Sequence, residues 1–353
     1  MMTWIFYRFI HVKFNIKLNN LDPLTFFLLN ILFILSSLLA MNNEKIFDRN
    51  NVFAHSEVTT RDDYYNNNRN YNVNVSDIPA KKITLRDINI AYKIFGKGEP
   101  PLVLISGSAN VMDAWPSSFL NEMALTHKVI IFDNRGVGNT TIGTQPFTVQ
   151  QFADDTAKFL DALKIHKADI LGFSMGSFIA QQFTLEHPEK VNKLVLYGSS
   201  CGGKDAIPQP PEIVKIISDI VNNQTTDEKT ILSLTFPLQW IEANPNYQDN
   251  IPKSKEIITL STVKKQFEAV EDWVATNWNG TCAKLQNIKN PTLVISGLND
   301  AVIPSENSLI IAEKVKRSWL LQINGAGHGL MYQYPEQFTG IVKTFFENTS
   351  NFN

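Results

Sequence analysis

Residues 168–187 read ADILGFSMGSFIAQQFTLEH: a short apolar strand signal, the pentapeptide Gly172-Phe173-Ser174-Met175-Gly176, then a helix-length stretch. In that context G-x-S-x-G marks a nucleophile elbow, a tight strand-to-helix turn. Glycines at 172 and 176 leave room for the close approach such a turn demands. The turn lifts the serine hydroxyl clear of a sheet and sets it at a helix N-terminus, whose dipole favours developing negative charge.

Working outward, the same rhythm recurs. PLVLIS (101–106), KVIIFD (128–133), KLVLYG (193–198), PTLVISG (291–297) and SWLLQI (318–323) are short apolar runs edged by Gly, Pro, Ser or Asp. KITLRDINIAYKIFG (82–96) alternates apolar and polar residues on either side of a turn, as a β-hairpin does. Helix-length segments separate the runs at 115–125, 148–163, 177–187 and 305–316. Unbroken apolar strands alternating with helices predict a mostly parallel sheet covered on both faces. One interval, 199–290, is far longer than a crossover needs and carries helical periodicity near 212–221, 227–234 and 261–278. It reads as a helical cap inserted into a core formed by 81–198 and 291–353.

The chain has 353 residues, 44% hydrophobic and 19% charged, with a formal net charge of −2. No dense basic run stands beside aromatic residues, so nucleic acid is not the expected partner. LTFFLLNILFILSSLLA (24–40) carries no charge, and Arg8, Lys13 and Lys17 precede it. Residues 1–40 therefore read as a signal peptide or membrane anchor, the remainder being extracytoplasmic, secreted or membrane-anchored. Residues 41–80 are Asn-rich and aperiodic, and read as a flexible tether.

A serine hydroxyl needs a base and the base an orienting carboxylate. Of six histidines, His11 and His55 fall in the leader and tether, and His127 and His166 read as solvated loop residues. His187 reads as a helix C-terminal stop before a proline. His328 differs, lying in the glycine-rich loop GAGHG directly after SWLLQI. Asp300 likewise follows the strand PTLVISG, whereas Asp205 and Glu306 read as cap-entry and first-turn helix charges. Open α/β sheets carry their sites at the carboxyl ends of their strands. Ser174, Asp300 and His328 are thus the expected catalytic triad, with no metal or cofactor.

From about Lys81 to Phe346 the chain resembles the α/β-hydrolase superfamily, through GFSMG (172–176), FDNRGVGNT (132–140), SGLNDAVIP (296–304) and GAGHG (325–329). The resemblance implies the α/β-hydrolase fold: eight mostly parallel strands, with the cap between strands six and seven. It also implies an oxyanion hole from the backbone N–H groups of Ser108 and Met175. Where relatives commonly carry His-Gly after the third strand, this chain has Ser106-Gly107-Ser108, which tells against a proline iminopeptidase. A serine nucleophile in place of aspartate tells against epoxide hydrolases and haloalkane dehalogenases.

The expected activity is a carboxylesterase acting on small or medium apolar acyl substrates, with Met112, Trp115, Phe173, Trp240 and Trp273 lining its pocket. An acyltransferase, lactonase, carbon–carbon hydrolase or perhydrolase would use the same triad. A membrane-tethered ligand-binding protein is the non-enzymatic alternative. Cys201 and Cys282, near the two ends of the cap, are candidates for a disulfide in an oxidising compartment.

Overall fold

The computed structural model describes residues 74–348 apart from 223, 225, 226, 255 and 257. The apolar run 24–40 and the Asn-rich stretch as far as residue 73 lie outside the described residues. Among the described residues no helix is long and apolar enough to cross a membrane. The end of the expected tether belongs to the globule: Val75 is buried, and its carbonyl accepts the Lys93 ammonium at 3.0 Å. The few apolar residues of this Asn-rich run do not mark Val75 out in the sequence.

The strands are β1 (Lys81–Thr84), β2 (Asn89–Gly96), β3 (Leu102–Ile105), β4 (Lys128–Phe132), β5 (Ala168–Phe173), β6 (Val191–Tyr197), β7 (Thr292–Gly297) and β8 (Ser318–Ile323). They form one sheet in the order β1-β2-β4-β3-β5-β6-β7-β8. The β1/β2 and β2/β4 pairs are antiparallel and all others parallel. Every residue of β3, β5 and β7 is buried, which is why those strands read as unbroken apolar runs.

Val103, Ile105 and Ile170 face one side of the sheet, against Phe152 of α2 (Val149–Ala162) and Phe178 of α3 (Met175–Glu186). Leu102, Leu104 and Leu171 face the other, against Phe119 of α1 (Ser117–Ala124) and Phe338 near the C-terminus. Helix α2 starts where Thr148 Oγ accepts the Gln151 N–H at 3.0 Å. Its buried Val149, Phe152, Ala153 and Leu160 recur at helical spacing.

The motif FDNRGVGNT has a structural part to play. Arg135 is fully buried, donating to both oxygens of Asp155 at 2.8 Å and to Asp87 at 2.8 Å. It thereby ties the hairpin turn before β2 to α2. The hydrogen bonds from Arg135 hold the Asp87 carboxyl well below the usual carboxylate range, against its partial burial.

Between β6 and β7 the described residues form the α-helices α4 (Pro211–Val221), α5 (Glu228–Thr235), α6 (Leu238–Ala243) and α7 (Leu260–Val274). Asp227 caps α5 and Thr259 caps α7, accepting the N–H groups of Thr230 and Thr262 at 3.0 and 3.2 Å. The ends of this insertion meet. Cys201 and Cys282 form a disulfide with Cα atoms 5.0 Å apart, and the Thr281 N–H donates to the Cys201 carbonyl at 2.8 Å. Beyond it follow α8 (Glu306–Lys314), α9 (Leu330–Gln333) and α10 (Pro335–Glu347).

Candidate active site

Ser174 stands between the last residue of β5 and the first of α3 with φ 53° and ψ −124°, a conformation that costs a non-glycine residue about 1–3 kcal/mol. Its neighbours hold it there. The Ser174 N–H donates to the Tyr197 carbonyl at 2.9 Å, and its own carbonyl accepts from the Ser177 N–H at 2.8 Å. A β-carbon at Gly172 would lie 2.2 Å from the Gly176 carbonyl oxygen, and one at Gly176 2.0 Å from that of Ile105. Only glycine fits either side of the serine.

Asp300 follows β7 and is buried. Its Oδ1 accepts the N–H groups of Val302 and Ile303 at 2.9 and 2.8 Å, while Oδ2 lies 2.7 Å from His328 Nδ1. A carboxylate there accepts a hydrogen bond from Nδ1–H and leaves Nε2 with the free lone pair, the tautomer a general base requires. His328 follows β8 and is fixed from several sides. The Tyr197 hydroxyl donates to its carbonyl at 2.5 Å, and the Phe173 ring lies 5.0 Å from the imidazole. The next residue, Gly329, donates its N–H to the Thr235 carbonyl of α5 at 2.7 Å, so the insertion holds the histidine loop directly. Burial raises the Tyr197 hydroxyl well above its ordinary pKa, so it remains a donor.

Ser174 and His328 open into one cavity of about 350 Å³, roofed by the insertion. Ser108 lies in the loop after β3, its hydroxyl 3.4 Å from the Met175 sulfur across the mouth of the elbow. No acceptor among the described residues takes the backbone N–H of Ser108 or of Met175. Ser108 lines the same cavity as Ser174, and Met175 is the residue after the serine. Among the described residues no three His, Cys, Asp or Glu side chains converge as a metal site.

A family model described as the alpha/beta hydrolase fold matches residues 100–335. This chain belongs to the α/β-hydrolase family. The hydrolase is 25% identical over 273 residues to 2-hydroxy-6-oxononadienedioate/2-hydroxy-6-oxononatrienedioate hydrolase 2 of Pseudomonas putida, covering 74% of this chain and 93% of that one. It is 30% identical over 265 residues to BpoC of Mycobacterium tuberculosis, named among the non-heme bromoperoxidases, covering 73% and 98%. Among solved structures, an α/β-hydrolase-fold protein from Chitinophaga pinensis superposes with a TM-score of 0.65 at 24% identity, covering 77% and 98%. That likeness is one of fold.

The pocket expected from sequence needs correction. Of its five residues only Phe173 lines the cavity. Met112 and Trp115 are buried in the core, where the Trp115 indole N–H donates to Ser106 Oγ at 3.1 Å. Trp240 and Trp273 stand one layer back, stacked on Phe236 and Phe178 with ring centroids 5.2 and 5.8 Å apart. Phe236, Phe178, Phe267, Val270, Ile217 and Tyr332 form the wall instead. Helical periodicity shows that a cap helix has an apolar face, but not which apolar residue reaches the cavity. His127 is also corrected: it is buried against Phe346, not solvated.

Proposed function

We propose that this hydrolase cleaves small to medium neutral carboxylic esters through an acyl-serine intermediate. Ser174 Oγ attacks the ester carbonyl as His328 Nε2 takes its proton, and Asp300 keeps the imidazole oriented. The N–H groups of Ser108 and Met175 take up the charge on the tetrahedral oxygen, a contribution of ~10²–10³ in rate for each such donor. His328 returns its proton to the departing alkoxide, then activates water to release the acid. The Tyr197 hydroxyl and the Val302 and Ile303 N–H groups keep the histidine loop and Asp300 in place.

The observation that carries the substrate class is the cavity wall. Apart from His328 it is largely apolar, no Lys or Arg among the described residues lines it, and its one carboxylate is Glu271. The Pseudomonas putida relative is named for a dicarboxylate. A dianion entering this wall would be desolvated with no cation to meet it and a glutamate to oppose it. A neutral acyl chain meets neither cost. The proposal also places the enzyme outside the cytoplasm: the apolar run 24–40 and the Cys201–Cys282 disulfide both support export.

Comparing kcat/KM for p-nitrophenyl butyrate with that for a ring-opened 2-hydroxy-6-oxo-dienedioate tests the reading. The ester should be favoured by at least tenfold. Preference for the dienedioate would replace the ester reading with carbon–carbon cleavage. Tight binding of both with turnover of neither would return the ligand-binding alternative.

A further inference from the structure

The loop that carries Ser108 is under strain and is held from the insertion. Ala109, the next residue, has φ 55°, a left-handed conformation that disfavours any residue with a β-carbon. Three partners outside the loop hold its backbone. Asn134 donates its side-chain N–H to the Ser106 carbonyl at 3.1 Å, and the Met112 N–H donates to Asp133 at 2.7 Å. Between these two points, the Ala109 N–H donates to Gln266 Oε1 at 2.8 Å. The first two partners, Asn134 and Asp133, directly follow β4. Gln266 belongs to α7, 157 residues away in sequence.

Gln266 is fully buried, and its Nε2 is a buried donor without a partner among the described residues. An orphaned buried amide donor costs about 1–3 kcal/mol. A helix seated only for packing would do better with leucine there. The neighbouring α7 residues Phe267, Val270 and Glu271 line the cavity, so the glutamine stands where the insertion, the substrate space and the loop meet. Successive N–H groups in a left-handed turn converge on one point. Engaging the N–H of Ala109 removes it from competition with that of Ser108, which has no acceptor among the described residues.

We propose that Gln266 is a positioning residue for the oxyanion hole, through which seating of the insertion sets the rate of the chemical step. The inference rests on the serine-hydrolase reading above, though not on the choice of ester. Gln266→Met preserves length and apolar packing but removes the acceptor. It should lower kcat by about tenfold or more with KM changed less than about threefold, a mark of lost transition-state stabilisation. A trifluoromethyl ketone, which forms a reversible tetrahedral adduct on the serine, should lose affinity by the same factor. Adding Ala109→Gly, which adopts a positive φ without penalty, should recover several-fold of the loss. General loosening of the insertion would not respond to that change.

Labelling of Ser174 by a fluorophosphonate separates the two readings, because it needs the elbow and oxyanion hole but no particular substrate. Wild type that labels yet turns over no ester would end the ester reading, while the Gln266→Met labelling rate, about tenfold slower, would still support this one. An unchanged labelling rate in Gln266→Met would overturn it, as would a rise in KM at constant kcat. Wild type that does not label would overturn both.

Discussion

Asp133 closes the end of β4 fully buried, one oxygen accepting the Met112 N–H at 2.7 Å and the other the Asn139 N–H at 3.1 Å. Glu256, from the stretch before α7, reaches the same place and accepts the Asn139 side-chain amide at 2.5 Å. Burial first, and repulsion from Glu256 second, push the Asp133 carboxyl up from 3.8 to about 7, against the pull of the two N–H groups. An acid whose folded pKa is raised keeps a proton that the unfolded chain surrenders. Stability therefore falls as pH rises from about 4 to about 7, and levels off above that window.

Each pH unit in the window is ~1.4 kcal/mol, giving a ceiling of about 4 kcal/mol. Glu256 supplies the smaller share of the cause. Replacing it with glutamine keeps an acceptor for Asn139 and turns the other arm into a donor toward Asp133. Glu256→Gln should then regain ~1–2 kcal/mol at pH 8, a rise in Tm of about 2–6 °C for a domain of this size. At pH 5, where Asp133 keeps its proton, the gain should be much smaller. Thermal melts of wild type and variant at the two pH values measure both. A variant no more stable than wild type at pH 8, or equally altered at both, would show that the two carboxylates do not oppose one another.

Ser174→Ala should abolish fluorophosphonate labelling and lower kcat by ~10⁶, with an unchanged melting curve; labelling that persists would assign the nucleophile elsewhere. Asp300→Asn presents an amide to His328 Nδ1 and favours the wrong tautomer, so kcat should drop by ~10⁴; a loss below tenfold would remove Asp300 from the mechanism. A methyl at Gly198, where φ is 58°, would lie 3.1 Å from His328 Cε1. Gly198→Ala should therefore cut kcat by about tenfold or more, and unchanged kinetics would mean the imidazole has slack. Reducing the disulfide, whose cysteines are 81 positions apart, should cost ~4 kcal/mol in the chain-entropy model; identical melting with and without reductant would show that the bridge does not form.

What could be read from sequence was local. Strands β3 to β8 are short apolar runs with turn residues beside them, and Ser174, Asp300 and His328 each lie beyond the end of one. Cys201 and Cys282 could be considered together because one insertion brings both its ends back to the same sheet edge. What could not be read was pairwise and distant. Gln266 and Ala109, or Glu256 and Asp133, carry no shared motif, and only the packing of the insertion on the sheet joins them. Trp273 shows the same limit: an aromatic on the right helix, yet one layer too deep. His127 looked like a loop residue because nothing near it in sequence announces Phe346, which lies more than 200 residues later.

The disulfide has a consequence for the chain's integrity. Because Cys201 and Cys282 close the insertion upon itself, a cut at any single peptide bond between them leaves both fragments covalently joined. Ser174 lies on one side of such a cut, and Asp300 and His328 on the other. A nicked molecule would run as one band without reductant and two with it, and the sheet would still hold both halves of the site in register. The roof of the cavity is then a part of the chain that can be broken without parting Ser174 from His328.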